Sequence, residues 1–323
     1  MQLESCVRIV IVMPSTASDP RSITGHPPPQ KGRQTVAPLF FLLRPYQWSK
    51  NILVLLPVLL SHTWSDRAIA SKALLATLCF CLTASATYIF NDFLDVQSDR
   101  KHAHKKLRPL AAGTVTTRTA MMLAAALLAA SIFLAVKLPL SFGVMLAVYL
   151  LSTVLYSLYL KTKVILDICT LAGLYTVRVF AGGAATGIPI SEWTAGFAMF
   201  CFLGLAAVKR YAELQALPET GELTSRRGYE RVDKSTVQAL GLSSMVISVL
   251  VLVLYLRSPE VTLLYRHAEM LRLICPVLLY WFGRIWIIAG RGRMHSDPII
   301  FALRDRTSLI TAAVIVGIGF ASR

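Results

Sequence analysis

Apolar blocks, each long enough to cross a lipid bilayer, recur along the chain and constrain its fold more than any other feature. As an α-helix, about 20 consecutive apolar residues span the roughly 30 Å hydrocarbon core. The composition agrees, because 55% of the 323 residues are hydrophobic and 15% are charged, whereas soluble domains carry about 25% charged residues. We therefore predict a polytopic membrane protein, which excludes secreted disulfide scaffolds, soluble dinucleotide-binding enzymes and coiled coils.

Nine segments qualify as membrane-spanning helices, and the first is short enough to begin as an interfacial helix around residues 40–46. They lie near residues 50–64, 71–92, 118–137, 139–160, 164–187, 192–213, 236–257, 267–289 and 305–322. Because lipid leaves no partner for unpaired backbone groups, and no alternating barrel pattern is present, we predict an all-α bundle. Residues 1–38, which are rich in Ser and Pro, predict a disordered tail before a transmembrane domain at residues 39–323.

Positive charge is concentrated in alternate loops. The chain carries 33 Lys and Arg against 17 Asp and Glu, a formal net charge of +16. Most of the basic loop residues lie in the second-to-third, fourth-to-fifth, sixth-to-seventh and eighth-to-ninth connections. The positive-inside rule places these loops and the amino terminus in the cytoplasm. We therefore predict a multi-pass protein of the cell (inner) membrane, with loop charge beside anionic lipid and no nucleic-acid partner.

Cysteine and histidine offer no metal or redox motif. None of the six cysteines has CxxC spacing, so neither a zinc site nor a thiol redox centre is supported. His102 and His104 have HxH spacing without a third ligand nearby, and we interpret them as loop residues.

Acidic residues close the second predicted span at helical spacing. Asp92, Asp95 and Asp99 are three and four residues apart, so they stack along one helix face, and Asn91 precedes Asp95 by one turn. Like charges so placed repel, and a hard divalent cation would relieve the repulsion. Oxygen-only ligands suit Mg²⁺, which usually bridges to substrate phosphates. The alternative is a solvated acidic helix end paired with neighbouring Lys and Arg.

Residues on either side of the acidic motif extend the candidate site. Tyr88 lies one turn before Asn91, so its hydroxyl can face the same cavity, although tyrosine is also common at membrane interfaces. Lys105 and Arg108 follow the motif and can clamp the far oxygens of a metal-bound diphosphate. Ordinary positive charge in a cytoplasmic loop is the alternative for both residues.

The segment N-D-x-x-D-x-x-x-D, followed by a basic run and R-P-L-A-A-G, resembles the first signature of the UbiA-type intramembrane prenyltransferase superfamily. Further segments narrow the resemblance to its decaprenyl-phosphate phosphoribosyltransferases, over about residues 40–322. Those segments are Arg44–Asn51, Tyr156–Lys161, Asp167–Arg178, Ala181–Gly187, Lys209–Leu214 and Asp297–Asp305. The resemblance implies a nine-helix catalytic domain with Mg²⁺ and a diphosphate in a cavity that faces the cytoplasm.

One departure from the superfamily supports the narrower resemblance. Aromatic prenyltransferases carry a second Asp-rich motif in the sixth-to-seventh loop, whereas here that loop lacks one and is rich in Arg and Lys. The resemblance therefore implies a Mg²⁺-dependent phosphoribosyltransferase, a pentosyltransferase of cell wall biosynthesis. Phosphoribosyl diphosphate would occupy the metal site, with Asp92 and Asp95 as catalytic residues. Polyprenyl phosphate would accept the sugar, giving polyprenyl-phosphoryl-ribose 5-phosphate and pyrophosphate.

Three basic residues follow as further substrate contacts. Lys50 is a candidate for the sugar diphosphate, and Lys161 and Arg178 are candidates for the lipid phosphate. Arg178 lies inside an apolar helix, where an unpaired cation costs at least ~2.5 kcal/mol. Asp167, 11 residues earlier on that helix, is too distant to pair with it directly. A carboxylate on another helix is the alternative partner for Arg178, and Lys161 could simply extend toward the membrane surface.

Two motifs predict scaffold. Asp297 and Pro298 are typical of a helix start, and Gly183 and Gly187 have the spacing of close helix packing.

Two other functions stay open: an aromatic prenyltransferase that uses a polyprenyl diphosphate, and a transporter with an intramembrane ion path. The lack of the second Asp-rich motif disfavours the aromatic prenyltransferase. Charges clustered at one membrane face disfavour the transporter. A homo-oligomer is also left open.

Overall fold

The computed structural model describes residues 36–101, 105–217, 228–258, 261, 265–294 and 297–322. Residues 35–323 form one compact unit. The predicted tail lies almost wholly outside the described residues, and so do His102 and His104. Within the described ranges the regular elements are helices, as the apolar pattern predicts.

Helices follow one another with short connections. The α-helices are α1 (Val36–Leu43), α2 (Leu56–Leu60), α3 (Arg67–Arg100), α4 (Thr117–Ala135), α5 (Leu140–Leu158), α6 (Leu166–Thr186), α7 (Glu192–Gln215), α8 (Lys234–Tyr255), α9 (Ile274–Gly290), α10 (Pro298–Ala302) and α11 (Arg306–Ala321). A long 3₁₀ helix, Pro45–Leu55, joins α1 to α2. Shorter 3₁₀ segments are Lys105–Leu107, Leu160–Thr162, Arg231–Asp233 and Ala268–Leu273.

Seven helical segments in the described part of the chain are long and apolar enough to cross a membrane: α3 to α7, and α8 and α9 each together with the 3₁₀ segment before it. The predicted count of nine is therefore not confirmed. The first predicted span, residues 50–64, is divided between the 3₁₀ helix and the five-residue α2. Pro57 lies in the first turn of α2, where its missing N–H leaves no helical hydrogen bond unmade. The ninth predicted span becomes α11, whose 16 residues are shorter than a full crossing.

The ends of the spanning helices follow from local chemistry. Asp66 caps α3 by accepting hydrogen bonds from the backbone of Ala68 and Ile69, at 2.8 and 3.2 Å. Gly187 ends α6 in the left-handed region, with φ of 79°. The predicted packing role of Gly187 is therefore wrong, since a Cβ there would meet nothing within 4 Å. Gly183 does make a close approach, because a Cβ there would lie 2.7 Å from the carbonyl oxygen of Ile188. The tightest contact is at Gly182, where a Cβ would lie 2.0 Å from the carbonyl oxygen of Val54.

The 3₁₀ helix contacts both α3 and α6, and this packing positions the site. The largest core cluster lies among α6, α7, α8 and α9. Within it Asp167 accepts hydrogen bonds from Arg210 and from the hydroxyl of Tyr229, and both members of the Asp167–Arg210 pair are fully buried. Asp167 therefore forms its ion pair with Arg210 on α7. This agrees with the prediction that Asp167 does not pair with Arg178.

Candidate active site

The acidic end of α3 places three carboxylates beside three cations. We name Asp92, Asp95 and Asp99 the acidic corner; Asp92 and Asp99 are buried, with 3% and 2% of their surface exposed. Arg44 donates two hydrogen bonds to Asp92, at 2.5 and 2.7 Å. Arg108 bridges Asp92 and Asp99, at 3.0 and 2.7 Å. The alternative of an acidic end paired with basic residues is thus correct in its pairing, but these two carboxylates are not solvated.

Asp95 is the most accessible member of the acidic corner, with 31% of its side chain exposed. Asn91 donates to one of its oxygens at 3.0 Å, as their spacing of one turn predicts. The ammonium group of Lys161 reaches its other oxygen at 2.8 Å from the 3₁₀ turn after α5. Lys161 therefore lies against the acidic corner, paired with Asp95.

The residues of the acidic corner suit a magnesium ion that is held jointly with a substrate. In the parts of the chain that the structure describes, no three Asp, Glu, His or Cys side chains converge to hold a metal ion alone. Mg²⁺ needs only one or two protein carboxylates when substrate phosphates supply the remaining oxygens. Asn91, Asp92 and Asp95 offer such oxygens, and the cations now paired with them are the groups that would face a diphosphate.

A second set of charged side chains lies between the 3₁₀ helix Pro45–Leu55, α6, α7 and the start of α10. We name it the buried cationic cluster: Lys50, Lys209 and Arg178 around the single carboxylate of Asp297. Lys50 and Lys209 donate to Asp297 at 2.8 and 3.2 Å. Tyr175 adds a hydrogen bond from its hydroxyl at 3.0 Å. Three cations face one carboxylate, so the cluster keeps an excess of positive charge.

Arg178 is held by neutral groups. Its guanidinium donates to the side chains of Asn51 and Tyr149, at 2.9 and 3.0 Å, and to the backbone carbonyl of Leu174. It also lies over the ring of Tyr149, 4.6 Å from the centroid. No carboxylate pairs with Arg178 among the described residues, so the alternative of a direct ion pair is wrong. A buried cation that no carboxylate contacts directly can bind an anionic ligand.

Asp297 holds the two lysines together and remains charged. Burial opposes its ionisation, but the ammonium groups of Lys209 and Lys50 outweigh that cost and hold the pKa of Asp297 well below its usual range. The same carboxylate accepts the backbone N–H of Ile299 at 3.2 Å, so the predicted helix start is also correct.

Tyr88 connects the acidic corner to the buried cationic cluster. It lies on α3 beneath the guanidinium of Arg44, 5.6 Å from the ring centroid, and interacts electrostatically with Arg178 and Asp297. That its hydroxyl faces a substrate cavity stays a prediction. Lys105 is partly buried in the 3₁₀ segment Lys105–Leu107, close in sequence to Arg108.

Arg108, Lys161 and Asp297 come from the connections after α3, α5 and α9, and Lys209 lies in the last two turns of α7; these helix ends were predicted to share one membrane side. Sequence reasoning did not assign Arg44, Tyr175, Lys209 or Asp297 to the site. The signals were present, since Arg44–Pro45 and Asp297–Pro298 are charged residues at the edges of apolar segments. Their partners are 48 and 247 residues away, and no local pattern reveals such pairings.

Comparison with known proteins identifies the family. Nodulation protein NoeC of Azorhizobium caulinodans is 32% identical over 83% of this chain and 87% of its own length. The uncharacterised protein y4nM of Sinorhizobium fredii is 35% identical over 84% of this chain, which spans only 53% of y4nM. The decaprenyl-phosphate phosphoribosyltransferase of Mycolicibacterium smegmatis is 38% identical over 58% of this chain and 61% of its own length.

The fold agrees with these matches. The structure of a UbiA homologue from Archaeoglobus fulgidus bound to DMAPP and Mg²⁺ superimposes with a TM-score of 0.65, at 18% identity, over 88% of this chain and 98% of that one. Residues 54–290 match the family model described as the UbiA prenyltransferase family. The chain, an all-α membrane protein, therefore belongs to the UbiA prenyltransferase family.

Proposed function

We propose that this transferase moves the 5-phosphoribosyl group of phosphoribosyl diphosphate onto a polyprenyl phosphate. The observation that carries the proposal is the buried cationic cluster, where Lys50, Lys209 and Arg178 outnumber the one carboxylate, Asp297. A transferase with two phosphorylated substrates needs two anion sites. The cluster supplies one, and the acidic corner with a metal ion supplies the other.

The acidic corner is proposed to hold Mg²⁺ on the diphosphate of the sugar substrate. Asn91, Asp92 and Asp95 would be the ligands, with Asp99 oriented by Arg108 behind them. When bound, the ion neutralises charge on the departing pyrophosphate. The solved A. fulgidus homologue, whose fold is similar, is bound to Mg²⁺, which supports a divalent ion in this chain.

Basic residues of this chain would orient the two substrates. Arg108 and Lys105 would contact the diphosphate, and Lys50 would contact the phosphoribosyl group from the buried side. Lys161 and Arg178 would hold the lipid phosphate. Lys161 lies 2.8 Å from Asp95, where the attacking phosphate must approach the sugar that carries the leaving group.

The reaction requires no general base. An oxygen of the polyprenyl phosphate, already anionic at neutral pH, forms a bond to the anomeric carbon of the ribose. The bond from that carbon to the diphosphate oxygen breaks, and both electrons leave with pyrophosphate. The guanidinium and ammonium groups around the site stabilise the negative charge that develops on the departing pyrophosphate.

One relative has a name that states this substrate pair, and two others have names that do not. The M. smegmatis relative is named decaprenyl-phosphate phosphoribosyltransferase, but it matches 58% of this chain. The names of the two relatives that match more of the chain state no reaction. By the distribution of positive loops we further propose an inner-membrane location, with the site and the amino terminus facing the cytoplasm.

A label-transfer assay tests the proposal. Purified protein in lipid nanodiscs would receive Mg²⁺, polyprenyl phosphate and phosphoribosyl diphosphate labelled in the ribose. We expect the label in the lipid extract, and loss of transfer with Asp95→Asn but not with Asp66→Asn, an exposed helix cap far from the site in sequence. Absence of lipid label together with prenylation of an aromatic acid by a polyprenyl diphosphate would select the aromatic prenyltransferase instead.

A further inference from the structure

A groove between α9 and the corner formed by α10 and α11 shares no residue with the candidate active site. Its volume is about 670 Å³. Leu279, Tyr280, Gly283 and Ile287 line it along α9, and their spacing of three to four residues places them on one face. Tyr280 and Ile287 are more than half exposed, and a Cβ at Gly283 would meet nothing within 4 Å. The groove is therefore open and apolar.

Three arginines line the groove, and one of them is neutralised within the protein. Arg284 donates two hydrogen bonds to Asp305, at 2.6 and 2.9 Å. Asp305 also accepts the backbone N–H and hydroxyl of Ser308. Arg291 and Arg293 are exposed and have no hydrogen-bonding or acidic partner among the described residues. One end of the groove thus carries two uncompensated positive charges.

The position of these charges relative to the bilayer follows from helix length. The segment Ala268–Gly290 is long and apolar enough to cross a membrane, and Arg291 and Arg293 come directly after it. They therefore lie at the level of the phosphate headgroups. From Leu279 to Arg291 the groove follows roughly 18 Å of helix at 1.5 Å per residue, which is long enough for an acyl chain.

We propose that this groove binds an anionic phospholipid of the bilayer. Its phosphate would lie on Arg291 and Arg293, which can form forked hydrogen bonds to phosphate oxygens. One acyl chain would lie along Leu279, Tyr280 and Ile287. A zwitterionic lipid fits less well, because its own cation would stand beside two unpaired guanidinium groups. The site is separate from the proposed catalysis and does not depend on it.

The test counts retained lipid on the full-length protein by native mass spectrometry. Protein in detergent would be incubated with phosphatidylglycerol, and the variant Arg291→Gln/Arg293→Gln would be compared with Arg67→Gln/Lys72→Gln, which removes two exposed charges at the start of α3. We expect the first variant to bind roughly thirtyfold more weakly, since each cation contributes roughly a factor of five at an anionic lipid surface. The second variant should bind within twofold of the unaltered protein.

A second variant separates the acyl chain from the phosphate. Gly283→Leu places a side chain in the open groove and leaves both arginines in place, so phosphatidylglycerol should again be lost. Glycerol 3-phosphate should not compete at equal concentration, because it lacks the acyl chain. The proposal is overturned if phosphatidylcholine is retained equally well, if Arg291→Gln/Arg293→Gln has no effect, or if equimolar polyprenyl phosphate displaces the phospholipid.

Discussion

Replacement of Asp297 by asparagine isolates the charge of the buried cationic cluster. Asparagine keeps the shape of the side chain and its ability to cap α10, since Asn and Asp cap helices about equally well. It removes the one negative charge that Lys50 and Lys209 contact at 2.8 and 3.2 Å. The side chains of Lys50 and Asp297 are 9% and 5% exposed, so water cannot replace the lost contact.

The expected destabilisation is large because the pair is buried. Breaking a buried ion pair by removing one partner costs about 3–5 kcal/mol. Lys209 is 26% exposed and recovers part of its hydration, so we expect the lower end, about 3 kcal/mol. With the scaling measured for soluble domains of similar size, that loss lowers the Tm by about 6–12 °C. Adding Lys50→Met should recover most of the loss, because an apolar replacement of a buried pair is often neutral.

Thermal unfolding in detergent, followed by tryptophan fluorescence, measures this effect. Asp66→Asn is the matched control, since Asp66 caps α3 through backbone N–H groups and has no cation partner among the residues that the structure describes. Because the folded pKa of Asp297 lies below its unfolded value, its own charge persists until the pH falls through the folded pKa. Burial lowers the pKa of Lys50 to about 8, so this lysine loses part of its charge near that pH. The penalty should therefore be full at about pH 6 and smaller at about pH 8. An equal Tm for Asp297→Asn and Asp66→Asn, or no recovery with Lys50→Met, would refute the reasoning.

Three further substitutions test other parts of the site and fold. Asp95→Asn should lower kcat at least about hundredfold. The apparent Tm should change little, because the partly exposed pair of Asp95 with Lys161 contributes less than about 1 kcal/mol. Activity near the unaltered level would contradict the assignment of Asp95 as a metal ligand. Arg178→Lys keeps the charge but loses the planar fork, so KM for polyprenyl phosphate should rise at least about tenfold and more than KM for phosphoribosyl diphosphate; equal rises would contradict its role. Gly182→Ala should destabilise the protein by at least about 1–3 kcal/mol through the clash with the carbonyl of Val54, whereas Gly143→Ala, with open space around it, should not; equal thermal stability of the two variants would disprove the close approach.

The helical fold and the acidic corner could be predicted because both depend on short-range spacing. Apolar length sets the spanning helices, and residues three or four apart share a helix face. The first span could not be predicted correctly, because apolar composition does not distinguish a 3₁₀ from an α-helical hydrogen-bond pattern. Pro45–Leu55 is as apolar at its carboxyl end as many α-helices.

The partners of the predicted residues could not be obtained from the sequence, because they depend on how distant helices pack. An unpaired Arg178 predicted an anionic partner, yet the structure supplies neutral groups on Asn51 and Tyr149 and leaves the charge available. Lys50 and Arg178 were assigned to different substrates, and the structure places them beside one another in the buried cationic cluster. Lys161 instead joins the acidic corner through Asp95.

The most direct measurement gives the protein both substrate pairs in one reaction. Mg²⁺, phosphoribosyl diphosphate, polyprenyl phosphate, polyprenyl diphosphate and an aromatic acid would be mixed, and the lipid products identified by mass spectrometry. We predict that polyprenyl phosphate gains the mass of one phosphoribosyl group, that one pyrophosphate is released for each product, and that the aromatic acid is unchanged. A prenylated aromatic acid with unmodified polyprenyl phosphate would contradict the proposed function.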